Sequence, residues 1–154
     1  MCAHPHWIVL NRGVNGERTD EILARFDRDV VAEKPSATIV IAGVNDVYQG
    51  HVVERVIAGL AALYQRAADA RIPVVAGSII PYNTATSEQN RRMHAINDWI
   101  RHQPSIVFAD TRSAVADAER PDMLFDSPDG LHPTVDGYRR MADAIAPALC
   151  QALR

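Results

Sequence analysis

Short β-branched apolar runs alternate with stretches of helical apolar spacing along the whole chain, and this alternation restricts the fold more than any other feature. The clearest run is Thr38-Ile39-Val40-Ile41-Ala42, apolar or β-branched at every position and bounded by a Gly. Such a run reads as a strand buried on both faces. Trp7-Ile8-Val9-Leu10, Pro73-Val74-Val75-Ala76 and Ile106-Val107-Phe108-Ala109 read the same way, so four strands are expected. Between them come helices. Thr19 is a candidate cap, followed by Asp20 and Glu21 where the helix dipole favours acids, and by Ile22, Leu23, Phe26 and Val30 on one face before Pro35. A long helix over 52–70 places Val53, Val56, Ile57, Leu60, Leu63, Tyr64 and Ala67 in a stripe. Ser87 is the expected cap of a third, carrying Met93, Ile96 and Ile100. A short helix is expected around 113–118, and Thr134 caps a last one with Tyr138, Met141, Ile145 and Leu149 facing inward.

Strands alternating with helices imply βαβ units, parallel strands and right-handed crossovers, hence an α/β fold. Ligands of such sheets bind beyond the carboxyl ends of the strands. The loops 11–16, 43–46 and 80–82 lie at that edge, and the turn at 129–133 enters the last helix from the same side. Tyr48 and Tyr82 stand near it, as pocket or as cover.

The 154 residues are enough for one domain with a real core, and neither a linker nor an internal repeat divides residues 1–154. The formal net charge of −3 and the lack of a basic stripe speak against a nucleic-acid partner. No apolar run reaches transmembrane length. Cys2 and Cys150 make neither a disulfide framework nor a zinc spacing, and no signal peptide is visible, which favours a cytoplasmic location. His4 and His6 in the tail are read as an incidental His-x-His, and His51, His94 and His102 as solvated positions.

Asp129-Gly130-Leu131-His132-Pro133 places a carboxylate and an imidazole three residues apart in a turn. A carboxylate that accepts the Nδ1–H of a histidine fixes its tautomer and leaves Nε2 free to take a proton from a hydroxyl. Gly16 follows the first apolar run and offers a backbone N–H. Asn45 follows the second and offers an amide N–H. Two donors aimed at one point are what a developing oxyanion requires.

These pieces resemble, in order, three sequence blocks of the SGNH (GDSL-type) hydrolases, a family of esterases and acylhydrolases. Val14-Asn15-Gly16-Glu17-Arg18-Thr19 is similar to its glycine block, Ala42-Gly43-Val44-Asn45-Asp46 to its Gly-x-Asn-Asp block, and Asp129 to His132 to its Asp-x-x-His block. The resemblance implies a three-layer, flavodoxin-like fold with a parallel sheet. It also implies Asp129 and His132 as catalytic residues, Gly16 and Asn45 as the oxyanion hole, a small-molecule ester as substrate, and no metal or organic cofactor. The chain departs from the family at the first block. Gly-Asp-Ser, which carries the nucleophile, does not occur, and none of the six serines (Ser36, Ser78, Ser87, Ser105, Ser113, Ser127) has its context.

The expectation is therefore an N-terminally incomplete domain without its nucleophile and without the family's central first strand. Residues 7–10 and 38–42 would then flank an open slot, and open sheet edges invite self-association. Two other readings are a non-catalytic ligand-binding α/β domain and, with less support, a nucleotide-binding one. For the latter, Gly13 and Gly16 give only part of the G-x-G-x-x-G fingerprint, and Asp46 lies too far along to serve as its acid.

Overall fold

The computed structural model describes residues 7–154. In chain order it has helix α1 (Thr19–Asp29), a 3₁₀ turn (Val31–Glu33), strand β1 (Thr38–Val40), a short helix α2 (Val44–Tyr48) and the long helix α3 (Val53–Asp69). Strand β2 (Val74–Gly77), helix α4 (Ser87–Arg101), strand β3 (Ile106–Ala109), helix α5 (Thr111–Val115) and helix α6 (Val135–Ala152) complete it. The sheet is parallel in the order β1-β2-β3, with Ile39 beside Val75 and Val75 beside Val107.

Alternation along the strands builds two cores. Val40, Val74 and Ala76 face one layer, where Phe26 of α1, the α3 stripe, and Met93, Ile96 and Ile100 of α4 close over them. The opposite face carries Val75 and Ala109, covered by Ala148, Ile145 and Leu149 of α6. Helices on both faces of a parallel sheet make the three-layer α/β architecture the alternation implies. Among the described residues, no helix is long and apolar enough to cross a membrane.

Several local expectations are corrected. Residues 7–10 form no strand and are exposed, with Ile8 at 90%. A strand in this fold is held by its ladder, and no backbone hydrogen bond links these residues to β1 among the described residues. The result is one open edge at β1, not a slot framed by two strands. On the face shared with α6, Ile39 and Ile41 remain 40% and 42% exposed, because α6 covers only β2 and β3.

The cap of α4 is Thr86, whose hydroxyl accepts Gln89 N–H at 3.2 Å while the Gln89 side chain accepts Thr86 N–H, a reciprocal capping box. At α1 the cap position falls on Arg18, and Thr19 is the first helical residue. The short helix near 113–118 begins earlier, at Thr111, with Asp110 accepting Ser113 N–H. Thr134 does cap α6, accepting Gly137 N–H, but Tyr138 is half exposed instead of facing inward. Cys150 is disulfide-bonded, against the unbridged reading of the two cysteines. Cys2, His4 and His6 lie outside the described residues.

Candidate functional site

The 129–132 turn is built almost entirely from local bonds. Gly130 sits at φ +76°, a backbone conformation that favours glycine, and lets the chain fold back so that Asp129 faces His132. Asp129 Oδ1 accepts Leu131 N–H at 2.9 Å and His132 N–H at 2.8 Å. Its Oδ2 accepts the ring at Nδ1, 2.7 Å away. An ionised carboxylate can only accept, so the proton lies on Nδ1 and the Nε2 lone pair is available. These donors, the His132 side chain first, hold the Asp129 carboxyl well below the usual carboxylate range. Ser127 braces the turn: its hydroxyl accepts Gly130 N–H at 2.8 Å and donates to the His132 carbonyl at 2.7 Å. Both dyad side chains are about half exposed.

The loop carrying Gly16 and the helix carrying Asn45 adjoin directly. Asn45 Nδ2 donates to the Glu17 carbonyl at 2.9 Å, one residue beyond Gly16, and its second N–H is left for another acceptor. Gly16 itself is at φ +82°, in the Asn15-Gly16 turn. The Glu17 carboxylate is gripped by Arg25 of α1 at 2.6 Å, and Arg25 also donates to the Arg12 carbonyl and to Asp29. Gly43, at φ +107°, opens α2. A Cβ there would stand 2.9 Å from Ile79 Cδ1, so glycine is required by backbone and by space alike.

Asp46 was legible only as a member of a sequence block, and the structure gives it a task. It is 1% exposed; its Oδ2 accepts Thr19 N–H at 3.0 Å and its Oδ1 accepts the Thr19 hydroxyl at 2.7 Å. The carboxylate thus ties the end of the glycine loop to the helix that presents Asn45. Thr19 lies so close to Gly59 of α3 that any side chain at 59 would collide with it. His51, expected in solvent, is largely covered and turns Nδ1 toward Asp46 at 3.7 Å. His94 and His102 are exposed as expected, His94 bonded to Asp122.

Two further links join the donor half to the base half. Asn83 N–H donates to the Gly130 carbonyl at 2.7 Å, and the Tyr82 ring meets Tyr48 edge-on with centroids 5.7 Å apart. Buried Asn97 holds the preceding stretch by accepting Ile79 N–H and donating to the Ile79 carbonyl. Burial pushes the Tyr82 phenol up, and neighbouring Tyr48 adds to this.

Ser78 is buried against Asp110, Thr111 and Arg112 N–H, a plain end-of-strand role. Among the described residues no serine hydroxyl hydrogen-bonds to the His132 ring, and no group of three or more His, Cys, Asp or Glu side chains could hold a metal.

A three-layer α/β sheet with a His–Asp pair beyond its strands defines a hydrolase-like domain of the flavodoxin-like class. The chain belongs to the GDSL-like lipase/acylhydrolase family, whose model matches residues 2–140. An acetylxylan esterase from Geobacillus stearothermophilus is 25% identical, over 89% of this chain and 69% of that protein. A GDSL-like lipase structure from Bacteroides thetaiotaomicron superposes with a TM-score of 0.83 at 24% identity, covering 92% of this chain and 75% of the other. A lipolytic protein of the G-D-S-L family from Desulfitobacterium hafniense gives 0.77 at 23%, covering 90% and 79%. These two structures bear on the fold alone.

Proposed function

We propose that the site is the acid–base and oxyanion half of a carboxylic ester hydrolase working by a Ser-His-Asp mechanism. His132 Nε2 takes the proton of an attacking serine hydroxyl, and Asp129 holds the ring and steadies the imidazolium. The Asn45 amide and the Gly16 N–H donate to the carbonyl oxygen as it becomes an oxyanion. The leaving alcohol takes the proton from Nε2, and water repeats the cycle on the acyl-enzyme. The observation that carries this reading is the 2.7 Å contact of His132 Nδ1 with an Asp129 carboxylate already fixed by two backbone N–H groups. The kinship with an acetylxylan esterase makes short-chain esters of carbohydrates the first substrates to try.

None of the six serines stands where His132 could activate it, so this chain alone is proposed to be inactive. Residues 1–154 should hydrolyse p-nitrophenyl acetate at the background rate, and a preceding segment bearing Gly-Asp-Ser should bring turnover that His132→Ala removes. Turnover by residues 1–154 that vanishes in His132→Ala would mean a nucleophile among the residues present and sink the claim of inactivity. The lack of a bonded serine also favours a second reading, a non-catalytic binder of esters. Binding without turnover after the serine block is supplied would select it.

We also propose that the open β1 edge, with Ile39 and Ile41 uncovered, drives self-association. Sedimentation velocity should show concentration-dependent growth that Ile39→Lys/Ile41→Lys abolishes; a wild-type monomer at all concentrations would refute it.

A further inference from the structure

Tyr48 and Tyr82 take no part in the proton chemistry, yet they occupy the ground between its two halves. Tyr48 is one turn beyond Asn45 on α2, so the two share a helix face. Tyr82 precedes Asn83, whose N–H holds the Gly130 carbonyl of the His132 turn. The rings meet edge-on, and they differ sharply in exposure: Tyr48 is 55% exposed, whereas Tyr82 is 2% exposed. The Tyr82 hydroxyl is buried and has no hydrogen-bond partner among the described residues. A buried hydroxyl without a partner is costly, and a ligand that supplies an acceptor removes that cost.

An aliphatic chain would gain most from a deep apolar slot. Here the aromatic surface is shallow and half open, beside a hydroxyl that lacks a partner. That combination suits a ring with one C–H face and a rim of hydroxyls. Aromatic faces carry negative charge density, which attracts the polarised C–H bonds of a sugar. The alternative role for Tyr48, simple cover of the core, is at odds with its exposure.

We propose that Tyr48 and Tyr82 form the subsite for the alcohol portion of the ester, and that this portion is a pyranose. Tyr48 stacks on the sugar face, and the Tyr82 hydroxyl bonds a sugar oxygen once the ring is seated. This rests on the hydrolase reading above and extends it to the class of alcohol.

The test is binding, so that it needs no nucleophile. Residues 1–154 are titrated separately with xylotriose and with methyl butyrate, following Tyr48, Asn45 and His132 by NMR. Xylotriose should shift the Tyr48 ring. Tyr48→Ala should weaken it by about tenfold while Tyr48→Phe, which keeps the ring, stays within about twofold. Tyr82→Phe should weaken xylotriose and spare methyl butyrate, with an unchanged amide spectrum confirming the fold of each variant. Equal xylotriose affinity in Tyr48→Ala overturns the subsite. If methyl butyrate shifts Asn45 and His132 while xylotriose leaves Tyr48 untouched, the sugar assignment falls and the hydrolase reading stands. If neither ligand binds, both fall.

Discussion

Replacing Asp46 by alanine removes the one carboxylate that joins the glycine loop to the Asn45 helix. Thr19 is 3% exposed, so its N–H and hydroxyl would both lose their acceptor inside the protein. An orphaned buried polar group costs ~1–3 kcal/mol, and two of them give ~2–5 kcal/mol when allowance is made for relaxation. For a domain of this length that corresponds to a fall in Tm of roughly 2–4 °C per kcal/mol. Thr19→Val removes only the hydroxyl and should cost less. If the bonds are real, the double variant Thr19→Val/Asp46→Ala is less destabilised than the sum, with a coupling of ~0.5–3 kcal/mol. Urea unfolding followed by circular dichroism measures all four states, with equal slopes required so that only stability is compared. An Asp46→Ala variant within about 0.5 kcal/mol of the parent, or strict additivity, would refute the assigned role.

The pH response of Asp129 has a definite sign. Its folded pKa is lowered, so the stability it contributes is present above the ordinary aspartate value of about 3.9 and is lost as pH falls through the depressed folded value. A carboxyl carbon NMR titration should place its midpoint below that ordinary value. His132→Ala should bring it part of the way back, since two backbone donors remain; an unshifted midpoint in the parent would contradict the turn. At the glycines, Gly16→Ala meets open space and should pay only for its positive φ, ~1–2 kcal/mol. Gly43→Ala adds overpacking against Ile79 and should cost ~1–3 kcal/mol more; equal losses by urea unfolding would refute the close approach.

What was legible in the sequence, and what was not, follows from the range of the contacts. The stripe of α3 and the apolar run 38–42 declare themselves because a 3.6-residue or continuous pattern is written in neighbouring positions. The Asp129–His132 pair was legible for the same reason: three residues of chain hold both groups. Asp46 and Asn97 were missed as tethers because their partners lie 27 and 18 positions away, and neither residue type at that place announces such a bond. Arg25 looked like any exposed helical arginine, although it fastens the loop before α1 through Glu17 and the Arg12 carbonyl. Residues 7–10 were misread because an apolar run states only a willingness to pair. A ladder needs a neighbour, and that information is not in the run itself.

The self-contained turn at 129–132 has a consequence for how the site can fail. Its bonds span at most five residues of sequence, whereas the donor half depends on contacts between positions 27 and 28 apart. The two halves therefore belong to different cooperative units. Loosening the β1 side of the molecule dismantles the anion-stabilising geometry and leaves the imidazole–carboxylate alignment assembled. A relative could in this way lose turnover while still presenting a correctly polarised histidine, and a histidine-directed reagent would report an intact site in a protein that no longer accelerates anything.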